Sequence, residues 1–233
     1  MPEALVVGGG SWGTALAQQL ASKGVSTSIW AREAEVVDGI NMTRENPIFL
    51  PGIKLHEDLR AVANLEASIA GADVIVSSVP TQFTRSVWSG IADIVPGDAT
   101  IVTVSKGIEI DRLLTPSAIL KEVLHDGAHD RIVALSGPSF AREVAAEHPT
   151  AVVSASPNTD LAKEVQHLFS SPTFRVYTTP DIVGVELGGA LKNVIAIAAG
   201  IVEGLRFGHN TMAALITRGL AEISRLGVAM GGD

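Results

Sequence analysis

Apolar and polar positions over the first three quarters of the chain fall into short runs that alternate between two periods. Ala4-Leu-Val-Val7 is an unbroken apolar run that ends at three glycines. Thr27-Ser-Ile-Trp30, Asp73-Val-Ile-Val-Ser-Ser-Val79, Thr100-Ile-Val-Thr-Val104 and Arg131-Ile-Val-Ala-Leu135 follow, with Pro80 stopping the second of these. Short apolar runs between turn signals predict buried parallel strands. Ala151-Val-Val-Ser154 and Phe174-Arg-Val-Tyr177 predict two closing strands. Between the runs, Thr14–Leu20, Ile119–Leu124 and Leu161–Phe169 carry apolar residues at helical spacing. The alternation predicts an α/β fold, a doubly wound Rossmann-type domain whose ligands sit beyond the carboxyl ends of the strands.

After Pro180 the strand pattern stops. Asp181–Leu205 and Thr211–Met230 read as helices, so Thr179-Pro180-Asp181 is the expected boundary between a domain over 1–180 and a second over 181–233. Ile182–Leu205 is the longest apolar stretch, yet it holds Glu186, Lys192, Asn193 and Glu203. Those polar residues predict a buried helix and not a membrane span. Two helices make a thin domain. We therefore expect the start of a larger all-helical one, cut short at Gly231-Gly-Asp233, with an exposed apolar underside and a tendency to self-associate, a homodimer being the simplest form.

Composition adds limits. With 233 residues, 46% of them hydrophobic and 18% charged, the chain can bury a sizeable core. A net charge of -8 without a basic run argues against nucleic acid or an acidic membrane as partner, which leaves a small molecule. The absence of cysteine excludes disulfides and thiolate chemistry and is compatible with a reducing cytoplasm. A first strand at Ala4 leaves no room for a targeting peptide.

The chemistry begins at Gly8-Gly-Gly-Ser-Trp-Gly13, a G-x-G-x-x-G between a strand and a helix. Gly8 permits the tight turn, Gly10 lets backbone approach a pyrophosphate, and Gly13 lets helix and strand pack closely. Arg32 follows the second strand where an acid would bind the adenosine ribose of NAD. It suits a 2′-phosphate and so NADP, unless it is a plain surface charge beside Glu33. Lys106, at a strand end and followed by glycine, either meets a ligand or is an ordinary solvated lysine. In Ser136-Gly-Pro-Ser-Phe-Ala141, Gly137 can bring backbone to a substrate, and Ser139 either lines that site or caps the next helix. Lys192 lies inside the most apolar helix, and its side chain leans over Gly188 and Gly189. Either the glycines keep space open for a ligand beside a desolvated proton donor, or they serve close helix packing while Lys192 snorkels to water. His125 and His129 are four apart, but Gly127 intervenes and no third ligand supports a metal site.

Taken in order along the chain, these residues resemble bacterial-type NAD(P)-dependent glycerol-3-phosphate dehydrogenase. The resemblance rests on Gly8-Gly-Gly-Ser-Trp-Gly-Thr-Ala-Leu-Ala17, Trp30-Ala-Arg32, Ser78-Val-Pro80, Ser105-Lys-Gly107, Ser136-Gly-Pro-Ser-Phe-Ala141, Glu186-Leu-Gly-Gly-Ala-Leu-Lys-Asn-Val194 and Ala213-Ala-Leu-Ile-Thr-Arg-Gly-Leu-Ala-Glu222. It implies interconversion of dihydroxyacetone phosphate and sn-glycerol 3-phosphate with NAD(P)H, which feeds phospholipid synthesis. It also implies that Ser11, Trp12, Arg32 and the backbone of Ala141 contact the cofactor. Lys106 would meet cofactor and substrate, Gly137 and Ser139 would line the substrate site, and Lys192 would donate and accept the proton with Asn193 beside it. Family members continue through further segments that grip the substrate phosphate, and His209-Asn210 stands where Asp-Asn is commoner. Two other readings remain at this point: a cofactor-binding module without turnover, and another two-domain dehydrogenase of the hydroxyacid type.

Overall fold

A computed structural model describes residues 2–233. Eight strands form one sheet: β1 (Glu3–Val7), β2 (Ser26–Trp30), β3 (Arg60–Val62), β4 (Val74–Ser77), β5 (Thr100–Thr103), β6 (Ile132–Ser136), β7 (Thr150–Ala155) and β8 (Phe174–Thr179). Their spatial order is β3-β2-β1-β4-β5-β6-β7-β8. Strands β1 to β6 run parallel, β7 is antiparallel to β6, and β8 is parallel to β7. The chain winds outward from β1 to β3, then returns to place β4 on the other side of β1. That reversal opens a crevice between the carboxyl ends of β1 and β4, where such sheets bind ligands.

Each central strand is buried on both faces, as its unbroken apolar run requires. One face carries Val6, Ile29, Val76, Val102 and Leu135 against α1 (Ser11–Ser22) and α7 (Thr159–Phe169). The other carries Leu5, Val7, Ile75, Ile101 and Ile132 against α3 (Leu65–Ile69), α4 (Thr81–Ser89) and α5 (Pro116–Val123). The edge strand β8 is alternately buried and exposed, the mark of a sheet covered on one side.

The expected strands are present, but four elements escaped the sequence pattern. Strand β3 has three residues, too few for a period. Helices α2 (Ala34–Asp38) and α3 have five each. Helix α4 buries Thr81, Thr84 and Trp88, so polar threonines occupy core positions and hide its apolar face. After α2 the chain makes a π turn over Gly39–Thr43.

A short helix, α6 (Ala141–Ala145), precedes β7, and two long helices, α8 (Ile182–Gly204) and α9 (His209–Ala229), follow the sheet. Helix α8 corrects one expectation. It is long and apolar enough to cross a membrane by length and composition alone, and only 22% of that stretch is buried. Its first two turns dock on the sheet through Ile182, Glu186, Leu187 and Gly189. From Val194 onward it packs on α9 and otherwise faces outward.

Candidate functional site

The glycine turn fills the crevice between β1 and β4. Gly8 adopts φ +122°, and a Cβ there would lie 2.7 Å from the Ser78 carbonyl oxygen. A Cβ on Gly13 would lie 2.0 Å from the Gly8 carbonyl oxygen, so α1 starts against the turn only because both residues lack side chains. A Cβ on Gly10 would meet nothing within 4 Å, which leaves the first amides of α1 open to an anion. Gly8 and Gly13 thus make the tight turn and the close helix packing that the spacing predicted, and Gly10 leaves open space at the start of α1.

Around this turn the structure gathers residues from four other places in the chain. Trp12, in the first turn of α1, holds a buried indole Nε1 that has no hydrogen-bond partner among the described residues. The Lys106 ammonium lies 5.3 Å from the Trp12 ring centroid. It donates to the Ser139 hydroxyl at 2.9 Å and to the Gly137 carbonyl at 3.2 Å. The Thr81 hydroxyl, at the start of α4, donates to the Lys106 carbonyl at 3.0 Å and fixes the loop. Burial, and then the positive charge of Lys192, push the Lys106 ammonium down to about 8. The solvated-surface reading of Lys106 is thus excluded.

One alternative falls here, and two neighbouring residues gain a structural setting. Ser139 caps nothing: α6 starts two residues later, its N-cap position is Phe140, and no side chain caps it. Ala141 is the first residue of that helix, half-buried against the glycine-turn face of the core. Gly137 is glycine because β7 is close, since a Cβ there would lie 2.9 Å from the Val152 Cα. What it offers the site is its carbonyl.

The two glycines before Lys192 divide the alternatives between them. A Cβ on Gly189 would lie 2.5 Å from the Ser136 hydroxyl and 3.6 Å from the Lys106 Cγ, so Gly189 serves close packing of α8 on β6. A Cβ on Gly188 would meet nothing within 4 Å, so space beside Lys192 is open there. Lys192 is half-buried one turn further on, near enough to Lys106 to depress it. Asn193 is exposed and makes no side-chain hydrogen bond among the described residues. Arg32 stands at the other end of the crevice beyond β2, exposed and paired with Glu33 at 3.1 Å.

Glu186 is the residue that docks the lysine helix. It is buried and accepts hydrogen bonds from the Ser117 amide at 2.8 Å and the Ser117 hydroxyl at 2.5 Å, at the start of α5. Burial pushes its carboxyl up, against the opposing pull of those bonds. An acid near the start of an apolar helix was visible in the sequence, but its partner was not. His125 precedes a 3-10 turn over Asp126–Arg131 and His129 lies within it, with its Nε2 3.3 Å from the Leu124 carbonyl oxygen.

A mostly parallel sheet with an open glycine turn at its reversal point, and beside it a buried indole N–H without a partner among the described residues and a half-buried lysine, is the arrangement of a dinucleotide-dependent oxidoreductase. Comparison with known proteins narrows this. The NAD-dependent glycerol-3-phosphate dehydrogenase N-terminus family model matches residues 3–162, and the C-terminus model of that family matches residues 181–233. The chain belongs to the NAD-dependent glycerol-3-phosphate dehydrogenase family.

Glycerol-3-phosphate dehydrogenase [NAD(P)+] of Geobacter metallireducens is 54% identical over 228 residues, which cover 98% of this chain and 68% of that protein. The protein of the same description from Bacillus velezensis is 49% identical over all 233 residues, again 68% of its length. The crystal structure of glycerol-3-phosphate dehydrogenase from Coxiella burnetii superposes with a TM-score of 0.90 at 37% identity, covering 100% of this chain and 70% of that one.

Proposed function

We propose that the protein interconverts dihydroxyacetone phosphate and sn-glycerol 3-phosphate with NAD(P)H, supplying the glycerol backbone for phospholipid synthesis. In this reading residues 1–180 hold the dinucleotide and 181–233 begin the helical substrate domain. The pyrophosphate rests on the turn of Gly8, Gly10 and Gly13 and on Ser11. Trp12 gives its unpartnered indole N–H to the cofactor, the Ala141 backbone meets it, and Arg32 takes a 2′-phosphate where there is one. Bound NAD(P)H supplies the hydride for the substrate carbon.

The remaining steps belong to side chains. Lys192 holds its ammonium against the carbonyl oxygen and gives up a proton as negative charge develops there; in the oxidation direction it takes that proton from the hydroxyl. Lys106 stands between the two ligands as a second positive charge, oriented by Ser139 and the Gly137 carbonyl. Asn193, beside Lys192, lines the substrate side. The observation that carries this reading is the Lys106 ammonium 5.3 Å from the Trp12 ring beside the open glycine turn, with the lysine helix α8 packed against its stem at Gly189. A cytoplasmic setting agrees with the cysteine-free composition. The test is NAD(P)H oxidation by dihydroxyacetone phosphate in the full-length protein. We expect Lys192→Ala to cut kcat by about 10²–10⁴-fold with NADPH affinity nearly unchanged. Near-normal turnover in that variant removes Lys192 from the mechanism.

A further inference from the structure

A turn of three consecutive glycines is permissive in every direction, and something outside it must choose one conformation. Asn46 is placed to do so. It lies between the π turn and β3, 32 residues from Thr14 along the chain, and is fully buried. Its Nδ2 donates to the Gly9 carbonyl at 2.8 Å and to the Thr14 hydroxyl oxygen at 2.8 Å. Its Oδ1 accepts from the Phe49 amide at 2.9 Å, so all of its amide group is engaged and its orientation is unambiguous. The Thr14 hydroxyl in turn donates to the same Gly9 carbonyl at 3.5 Å.

The consequence follows from the planarity of the peptide. In a trans peptide the C=O and the next N–H point in opposite directions. Asn46 draws the Gly9 carbonyl inward, and the Gly10 N–H is thereby turned outward. The Gly10 N–H has no acceptor among the described residues, and a Cβ on Gly10 would meet nothing within 4 Å. The outward direction is the one an anion at the start of α1 needs. Without the lock, neither Gly9 nor Gly10 has a side chain of its own to oppose rotation of the peptide between them, and only the long Thr14 hydrogen bond and the packing of Gly9 on Ala31 remain to hold it. The turn would then spend part of its time with a carbonyl, and not an amide, facing the anion.

We propose that Asn46 is the positioning residue that holds the glycine turn in the orientation that receives the dinucleotide pyrophosphate. It touches no ligand itself. The inference rests on the dinucleotide site described above. An aspartate cannot replace it, because a carboxylate has no donor for the Gly9 carbonyl and the Thr14 oxygen and would set like charges toward the anion.

The test compares two fragments of one cofactor: 2′-phospho-ADP-ribose, which contains the pyrophosphate, and adenosine 2′-monophosphate, which does not. Affinities are measured by calorimetry or ligand-observed NMR on wild type, Asn46→Ala, Asn46→Asp and Thr14→Val, with thermal unfolding in parallel. We expect Asn46→Ala to weaken the pyrophosphate ligand by about tenfold or more, since a buried acceptor and an oriented amide are both lost. Adenosine 2′-monophosphate should stay within about twofold. The Gly10 amide resonance should shift on binding the larger fragment in wild type and lose that shift in the variant. Asn46→Asp should bind the pyrophosphate ligand worse than Asn46→Ala. If Asn46→Ala does not fold, Thr14→Val must show the same selective loss at about threefold. Equal loss for both fragments, or loss for neither, overturns the proposal. Failure of wild type to bind the larger fragment takes down the dinucleotide site and this inference together, an outcome distinct from the first two.

Discussion

At the scale of single residues the site is governed by charge. Arg32 is exposed, and its only partner among the described residues is Glu33, an adjacent and solvated ion pair of little strength. Nothing structural is lost by releasing it toward a phosphate. We expect Arg32→Ala to weaken NADPH binding by about 10- to 100-fold, the worth of charge-assisted hydrogen bonds, and to leave NADH unchanged. Titration calorimetry with both cofactors checks this, and equal loss for both would remove Arg32 as the discriminator. Lys106 sets a pH dependence of definite sign. Its ammonium is depressed from 10.5 to about 8, so in the free protein it is charged below that value and neutral above it. Anionic cofactor favours the charged form, and binding above pH 8 must take up a proton. NADPH affinity should be level below about pH 7 and fall as pH rises through 8, by up to about tenfold per unit. Lys106→Met should bind more weakly and lose the inflection. An unchanged profile in that variant assigns the titration elsewhere.

At the scale of elements the question is how a helix carrying Lys192 is held against a sheet. Two contacts do it. Glu186 reaches the start of α5, and Gly189 lets the α8 backbone lie on Ser136. The neighbouring glycines make a paired prediction. Gly189→Ala places a methyl 2.5 Å from a buried hydroxyl that already lacks a partner, and overpacking of this kind costs about 1–3 kcal/mol. Gly188→Ala meets open space, and removing a helical glycine stabilises by about 0.5–1 kcal/mol. Urea unfolding of the two variants should therefore move in opposite directions. Gly188→Ala tests the site too, because a ligand using that space would bind less well while the fold gained stability.

At the scale of the whole molecule the two faces of α8 and α9 are unequal. Near the sheet they are packed. Away from it, Val194 and Ile197, each 67% exposed, continue into Ile201, Leu205 and Phe207 along one flank. An apolar groove lined by Leu191, Ile195, Leu215 and Ile223 runs between the helices. A contiguous apolar surface of this kind drives association. We expect the 233-residue chain to sediment with a concentration-dependent mass and to bind a hydrophobic dye in its folded state. A monodisperse monomer without dye binding would show that face to be inert.

Much of this was determined by local sequence. Short apolar runs of four or five residues between turn signals are the mark of strands buried on both faces, so β1, β4, β5 and β6 were legible as elements. Gly8, Gly10 and Gly13 were legible from the G-x-G-x-x-G spacing, although only Gly8 and Gly13 lie where nearby backbone leaves no room for a Cβ. Lys106 and Lys192 could be singled out, one by its strand end and the other by its apolar helix. What tertiary structure alone decided is which distant residues meet. It placed α8 close enough to Lys106 to depress that ammonium, split Gly188 from Gly189 by what lies opposite, and made Ser139 a lysine partner and not a cap. It buried Glu186 against Ser117 and Asn46 against Gly9. Periods and propensities describe neighbours along the chain, whereas these contacts join segments tens of residues apart, and only the packed sheet brings them within hydrogen-bond range.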